Sequence, residues 1–136
     1  HGPPPARPAP SRRGFAVALT IDMVFDAMAI RLKSEDVVGE HVITNWQFTD
    51  LDESEASWVL ALENQAIHHV CGRHDPDAAV TVTLTKDLLV DISGGGVSFI
   101  DAVGDGLVAL DGDPSALITI FGNLDSFETG FPIVEP

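Results

Sequence analysis

Four strand-like segments follow one another between residues 42 and 84, and this succession limits the possible folds more than any other feature. The clearest segment alternates Val80, Val82 and Leu84 with Thr81 and Thr83, which is typical of a strand with one buried face. The four predicted strands are Val42–Thr49, Trp58–Glu63, Ala66–Arg73 and Val80–Leu84, with a tight hairpin turn at Asn64-Gln65. Because consecutive strands with short connections pair antiparallel, we expect a mainly antiparallel sheet with helices on one side, an α+β fold.

Helical segments flank these strands. Thr20 is a suitable cap for a helix over Ile21–Lys33, whose carboxylates Asp22 and Asp26 we expect to lie on a solvated face. Further helices are predicted from Thr85 to Ile92 and over Phe99–Asp105, the latter capped by Ser98. Leu107–Leu110 is apolar on both faces, as in a strand covered on both sides, and its helical crossover allows parallel pairing. The predicted order is α-β-β-β-β-α-α-β-α, with five strands.

The C-terminal stretch from Asp111 to Pro136 carries an unusually wide apolar surface. Asp113 and Pro114 are suited to the cap and first position of a helix. Apolar residues then recur on one face of this helix, at Leu117, Ile120, Phe121 and Leu124, and Ile118 widens that stripe. Beyond the helix the apolar residues continue with Phe127, Phe131, Ile133 and Val134. A small domain rarely exposes so much apolar surface, so we expect this stretch to cover a sheet, a cavity or another domain.

The N-terminal 14 residues differ from the remainder. Five prolines in the first ten residues predict an extended Pro/Arg-rich linker over residues 1–14, before a domain over residues 15–136. The start at His1 and the stiff linker suggest a fragment of a longer protein. Cys71 is the single cysteine, which excludes an internal disulfide and permits a cytoplasmic setting.

The charge of the chain excludes some partners. All 21 acidic residues follow residue 14, whereas three of the seven basic residues precede it, and the formal net charge is −14. Such a surface repels phosphate backbones and anionic membranes, so nucleic-acid binding is disfavoured. The longest apolar runs are well below the ~20 residues that span a bilayer.

Polar residues form no convincing catalytic, metal or cofactor motif. Residues of the types that bind metal ions occur close together in the sequence, at His68, His69, Cys71, His74, Asp75 and Asp77. They include neither a His-x-His nor a Cys-x-x-Cys pair, so a polar hairpin is the better interpretation than a zinc site. Gly94-Gly95-Gly96 lacks the Lys-Ser/Thr of a phosphate-binding loop and indicates a turn between helices. The apolar residues remain, and their pattern alone is compatible with either a packed core or a ligand cavity.

Several short motifs, in order from residue 19 to the C-terminus, resemble one family. They are FDAMAIRL at 25–32, NWQFTD at 45–50, LEN at 62–64, TLT at 83–85, GDP at 112–114, LDSF at 124–127 and FPIVEP at 131–136. Together they are similar to the C-terminal domain of bacterial alkyl sulfatases, the enzymes that hydrolyse dodecyl sulfate with a metallo-β-lactamase-like catalytic domain. That C-terminal domain resembles sterol carrier protein 2. This sequence departs from the pattern at Lys33–His41, which is more acidic, at Gly94–Ser98, and at Pro132.

The resemblance implies an α+β domain with an apolar tunnel or groove that holds an alkyl chain or lipid. Catalysis and zinc then belong to an upstream domain, and this chain is not an enzyme by itself. The lining residues expected on this basis are Phe25, Met28, Trp46, Trp58, Phe99, Val103, Leu117, Phe121, Leu124, Phe127 and Phe131. The alternative is a structural module whose apolar terminus forms an inter-domain or homodimer surface without a ligand cavity.

Overall fold

The computed structural model describes the chain from residue 8 to residue 124, and its side chains from residue 20 onward. Predictions that concern Phe127, Phe131 and the other residues after 124 lie outside the described part. The helices are α1 (Pro8–Arg31), α2 (Glu53–Ala56), α3 (Lys86–Ser93), α4 (Phe99–Gly104) and α5 (Ser115–Phe121). The strands are β1 (Val42–Phe48), β2 (Ser57–Glu63), β3 (Ala66–Cys71), β4 (Val80–Leu84) and β5 (Ala109–Gly112).

Within residues 8–124 five strands form one sheet in the order β3-β2-β1-β4-β5. Three of the neighbouring pairs are antiparallel, and β1 and β4 are parallel. The predicted α+β class and the mainly antiparallel sheet are therefore confirmed. The suggestion that the fifth strand pairs parallel to its neighbour is wrong, because β5 runs antiparallel to β4, with Val82 opposite Leu110.

The parallel pair arises from the connection between β3 and β4. Cys71 at the end of β3 lies opposite Trp58, which lies opposite Trp46 near the end of β1. The chain then returns to the beginning of β1, where the Ala79 N–H donates to the Ile43 carbonyl oxygen at 2.8 Å. Because β4 starts at the same end of the sheet as β1, the two strands run in the same direction.

The hairpin turn and two helix starts lie where short sequence motifs predict them. Asn64 and Gln65 both have positive φ, 55° and 63°, as the tight hairpin turn between β2 and β3 requires. The hydroxyl oxygen of Thr85 accepts a hydrogen bond from Leu88 N at 3.0 Å, so Thr85 caps α3. Ser98 caps α4 in the same manner, through Asp101 N at 3.4 Å.

The first helix is longer than predicted. It begins at Pro8, so residues 8–14 are helical and not extended, and Thr20 lies within the helix instead of capping it. Pro8 and Pro10 are compatible with this start because the first-turn N–H groups of a helix have no intrahelical partner. The division into a linker over residues 1–14 and a domain over residues 15–136 stays a prediction.

The C-terminal elements also differ in detail. The fifth strand begins two residues later than predicted, and Leu107 is 56% exposed, so this segment is not covered on both faces. The side chains alternate between the two faces instead, because Val108 is buried whereas Leu107 and Ala109 are exposed. Helix α5 begins at Ser115, whose N–H donates to Asp113 Oδ1 at 3.0 Å. Ile118 points away from the core with 68% of its surface exposed. Only one side of α5 packs against the core, and the apolar residues of the helix extend beyond that side.

The core lies between one face of the sheet and the helices. Helix α1 packs against β3 and α5 packs against β1. Both helices contribute buried side chains to a single apolar cluster with the strands, including Phe25, Met28, Trp46, Leu60 and Phe121. The fold thus brings both predicted apolar helices over one sheet.

Candidate functional site

A continuous line of aromatic contacts runs through the core between the helices and the sheet. Phe25 of α1 lies between the two indole rings, with ring centroids 5.4 Å from Trp46 and 5.9 Å from Trp58. Trp46 contacts Phe121 at 6.5 Å, and Phe121 contacts Phe99 at 5.5 Å. All four of these contacts are edge-to-face, the arrangement that aromatic rings favour.

The structure brings most of the predicted lining residues together. Eight are buried in one cluster, and a ninth, Val103, is partly buried and packs against it; the eight are Phe25, Met28, Trp46, Trp58, Phe99, Leu117, Phe121 and Leu124. Phe127 and Phe131 lie outside the described residues. That these residues line a ligand cavity stays a prediction, because their burial is equally that of a packed core.

Hydrogen bonds hold the two indole rings within this apolar interior. Trp46 Nε1 donates to the Thr44 hydroxyl oxygen at 3.0 Å, and that hydroxyl donates to the Leu60 carbonyl oxygen at 2.7 Å. Trp58 Nε1 donates to the Glu55 carbonyl oxygen at 2.8 Å. Because each indole N–H has a protein partner, both rings present mainly apolar surface to the interior.

His69 closes the β3 end of the aromatic line, a role that the sequence analysis missed. Its ring centroid lies 5.5 Å from that of Phe25 and 5.9 Å from that of Trp58. Its Nε2 lies 2.7 Å from Asp22 Oδ1, and its Nδ1 lies 3.9 Å from Asp26 Oδ1. Asp22 and Asp26 lie on a largely solvated face, as predicted, with side chains 43% and 67% exposed, and the contact of Asp22 with His69 is additional to that prediction. The available signal was their i, i+4 spacing, which places both carboxylates on one side of α1.

Two other histidines, His68 and His41, contact the carboxylate of Glu63 on the surface. His68 Nε2 lies 2.6 Å from one carboxylate oxygen of Glu63, and His41 Nε2 lies 2.9 Å from the other. The hydrogen bond from His68 is the main cause that lowers the pKa of Glu63, and the charges of His68 and His41 act in the same direction. His68 and His69 face opposite sides because they are neighbours on a strand.

The other residues of the types that bind metals, His74, Asp75 and Cys71, each contact different groups. His74 Nε2 lies 3.0 Å from the Trp46 carbonyl oxygen, and Asp75 exchanges hydrogen bonds with Asn45. Burial, and then the negative charges of Asp22 and Glu55, raise the pKa of the Cys71 thiol, which makes it a weak nucleophile near neutral pH. Within the described part of the chain, no group of three or more His, Cys, Asp and Glu side chains has a geometry that could hold a metal ion.

An open apolar groove lies outside the predicted site, between α1 and α3. It has a volume of about 450 Å³ and is lined by Thr20, Met23, Val24, Ala27, Val90, Ser93 and Gly94. The side chain of Met23 at its border is 63% exposed. None of the described helices combines the length and the apolarity needed to cross a bilayer.

Comparison with known sequences assigns the chain to a family. Residues 10–136 match the family described as alkyl sulfatase C-terminal. An (R)-specific secondary-alkylsulfatase of Pseudomonas sp. is 44% identical over 119 residues, which are 88% of this chain and 18% of that protein. A linear primary-alkylsulfatase of Pseudomonas sp. is 33% identical over 119 residues. The chain thus spans about a fifth of the length of these curated relatives.

Comparison with solved structures agrees with this assignment. The stereoselective inverting sec-alkylsulfatase of Pseudomonas sp. superimposes with a TM-score of 0.67 and 40% identity, over 79% of this chain and 17% of that chain. Sterol carrier protein 2 of Aedes aegypti, solved with palmitate, superimposes with a TM-score of 0.54 and 23% identity, over 78% of this chain and 97% of that chain. The second match identifies the fold as that of sterol carrier protein 2, as expected. The chain belongs to the family of alkyl sulfatase C-terminal domains.

Proposed function

We propose that this domain binds a long alkyl chain or lipid in its apolar interior, as the tail-binding C-terminal domain of an alkyl sulfatase-type hydrolase. The observation that carries the proposal is the line of aromatic contacts from Phe99 to Trp58, with both indole N–H groups bonded within the protein. An interior of this kind offers apolar surface and few polar groups that a hydrocarbon would leave unpaired. The family relationship to alkyl sulfatases and the palmitate bound by the Aedes sterol carrier support the same ligand class.

Burial of the hydrocarbon provides the driving force. Each methylene group transferred from water to the interior contributes about 0.8 kcal/mol. A domain that holds the tail also restricts the position of the sulfate head relative to a neighbouring catalytic domain, which lowers the entropic cost of reaction.

The route by which a ligand enters is proposed from the packing of the described helices. The side chains of α1 and α5 already pack against the sheet, with Phe25, Met28 and Phe121 buried. We infer that an alkyl chain enters by displacing part of α1 from β3 or part of α5 from β1. The segments that follow the two helices are connected, because the Lys33 N–H donates to the Asn123 carbonyl oxygen at 2.8 Å.

Titration with dodecyl sulfate below its micellar concentration tests the proposal. We expect saturable quenching or a shift of tryptophan emission, a higher melting temperature, and one ligand per chain in native mass spectrometry. The variant Phe121→Trp narrows the interior and is expected to weaken binding, whereas Ile118→Trp on the exposed side of the same helix is the matched control. Equal affinities of the two variants, or no binding by the unmodified chain, would contradict the proposal.

The chain itself is proposed to be non-catalytic, and the hydrolase activity is assigned to a zinc-dependent metallo-β-lactamase-like domain of a longer parent. The described histidines support this because they engage Glu63, Asp22 and the Trp46 carbonyl in separate contacts. Sulfate release from dodecyl sulfate by the 136-residue chain, measured with and without added Zn²⁺, tests it. Turnover that depends on added Zn²⁺ would overturn the assignment.

A structural module that pairs two copies of the chain is the second candidate. It is favoured by the exposed apolar residues Met23 and Ile30, which lie two turns apart on α1 and are 63% and 83% exposed. A docking role predicts a concentration-dependent dimer in sedimentation equilibrium that Met23→Lys and Ile30→Lys dissociate. A monomer at all concentrations would remove this candidate.

A further inference from the structure

The groove between α1 and α3 continues into an apolar stripe along the outer side of α1. Ala27 lies in the groove, and Met23 and Ile30 flank it at the spacing i, i+4, i+7 that places three residues on one helical face. Ile30 is 83% exposed, whereas Val24, which also lines the groove, is buried. The stripe of Met23, Ala27 and Ile30 therefore runs from the groove to the last turn of α1.

The groove offers few polar side-chain groups to an occupant. Its α3 side is formed by Val90, Ser93 and Gly94, and none of the residues that line it is charged. The Ser93 hydroxyl donates to the Val90 carbonyl oxygen at 2.9 Å, so this hydroxyl already has its acceptor within α3. A groove of this composition suits a large apolar side chain better than a charged or hydrogen-bonding ligand.

The described part of the chain stops beside the last turn of α1 and points back towards that helix. Leu124 pairs antiparallel with Leu32, and the Lys33 N–H donates to the Asn123 carbonyl oxygen at 2.8 Å. Because the residues after Leu32 lead away from α1, an antiparallel partner leads towards it. Leu124 is thus close to the Ile30 end of the stripe and is directed along it.

The segment that follows, residues 125–136, has the length and the composition to cover this surface. Met23 lies eight residues before Arg31 at the end of α1, which is about 12 Å along the helix axis. The twelve residues of the segment reach up to about 40 Å when extended. Four of them are large and apolar, namely Phe127, Phe131, Ile133 and Val134. Phe131 follows Leu124 by seven residues, which is sufficient to reach the groove.

We propose that the C-terminal segment 125–136 packs along Ala27 and Ile30 and seats Phe131 in the groove between α1 and α3, with Met23 at its border. The segment then fastens α1 to α3 from the outside and removes apolar surface from water. This gives Phe131 a different place from the interior lining that the family resemblance implies. The proposal concerns the outer side of α1 and does not depend on the binding of an alkyl chain in the interior.

Two other occupants of the groove are disfavoured by charge and composition. A second copy of the chain carries the same formal net charge of −14, so electrostatic repulsion opposes its approach. Residues 1–7 include no aromatic or branched aliphatic side chain. The segment 125–136 is covalently attached, so its docking avoids the translational entropy cost that a separate partner pays.

The two methionines of the chain provide a direct test by NMR. Met23 borders the groove, whereas Met28 is fully buried in the core and serves as the internal control. With isotope-labelled methionine methyl groups, we expect Overhauser cross-peaks between the Met23 methyl group and a phenylalanine ring. Phe131→Leu is expected to lose these cross-peaks and to keep the Met28 signals. Glu128→Gln, a polar change in the same segment, is the matched control and is expected to keep both sets.

Absence of the Met23 cross-peaks from the unmodified chain, or their persistence in Phe131→Leu, would overturn the proposal. Cross-peaks that disappear on dilution would also overturn it and would identify a second copy as the occupant. Phe131→Leu keeps an apolar side chain, and the Met28 signals report whether the variant is folded.

A disulfide test answers the same question without NMR. In the background of Cys71→Ser, the pair Ala27→Cys/Phe131→Cys is expected to form an intramolecular disulfide under mild oxidation, detected by mass spectrometry of the monomer. The pair Ile118→Cys/Phe131→Cys, with its first cysteine on the exposed side of α5, is the control and is expected to form this bond much more slowly. Equal rates for the two pairs, or a disulfide found only between chains, would overturn the proposal.

Discussion

Trp46 and Trp58 lie directly opposite each other on β1 and β2, and the ring of Phe25 contacts both. The two tryptophans are 12 positions apart in the sequence and are completely or almost completely buried, with exposures of 0% and 1%. This arrangement makes α1 and the sheet mutually dependent, because one ring of the helix fills the space above two adjacent strands. Single substitutions at this contact test how much of the stability depends on it.

Replacing Phe25 with Ala is expected to lower the free energy of unfolding by about 3–5 kcal/mol, since it removes a fully buried ring and leaves a cavity. Urea denaturation followed by tryptophan fluorescence measures the change. The control is Met23→Ala on the exposed side of the same helix, with an expected cost below about 0.5 kcal/mol. Similar costs for both variants would contradict the packing of α1 described above.

Replacing Thr44 with Val removes the hydroxyl that connects Trp46 Nε1 to the Leu60 carbonyl. The side-chain shape is nearly kept, but a buried indole N–H loses its acceptor, so we expect a cost of about 1–3 kcal/mol. Thermal denaturation of Thr44→Val and of the control Thr83→Val on the other face of the sheet measures it. In the background of Trp46→Phe the same change is expected to cost less, and strict additivity of the two costs would argue against the bond.

Gly112 is expected to be the glycine least tolerant of substitution by alanine among those described. Its φ is +124°, and a Cβ at this position would collide with the carbonyl oxygen of Ala79 on the neighbouring segment. We expect Gly112→Ala to cost about 3 kcal/mol through backbone strain and displacement of β5. Gly39→Ala is the matched control because it also has positive φ, +82°, but open space around it; its expected cost is about 1 kcal/mol. Chemical denaturation of the two variants measures this difference, and equal costs would contradict the prediction.

Glu63 is expected to titrate below its usual range because the hydrogen bond from His68 favours the ionised carboxylate. A depressed pKa contributes stability that is present above the unfolded value of 4.5 and is lost as the pH falls through the folded value. An NMR titration of the Glu63 side-chain carboxyl carbon measures this directly. His68→Gln is expected to raise the pKa of Glu63 more than His41→Gln does, and an equal or reversed order would contradict the contact geometry.

The elements of this fold were predictable where their signals are local. Alternation of Val and Thr identified β4, the hydroxyls of Thr85 and Ser98 identified two helix starts, and Asn64-Gln65 identified the hairpin. Each of these depends on interactions between residues only a few positions apart, so no knowledge of the remainder of the chain is needed. The eight described residues that share the buried cluster were also identifiable, because apolar periodicity reports which face of an element is buried.

The relationships between distant elements were not predictable in this way. The sequence by itself determined that the chain contains strands in succession, two apolar helices and a set of residues that must be buried. Only the tertiary structure decided that β4 pairs parallel with β1, that Ile118 faces outward, and that His69 meets Asp22 across 47 positions. The physical reason is that hydrophobic burial specifies a face of an element but not its neighbour. The pairing of strands and the meeting of an imidazole with a carboxylate depend on where separate elements come together in space.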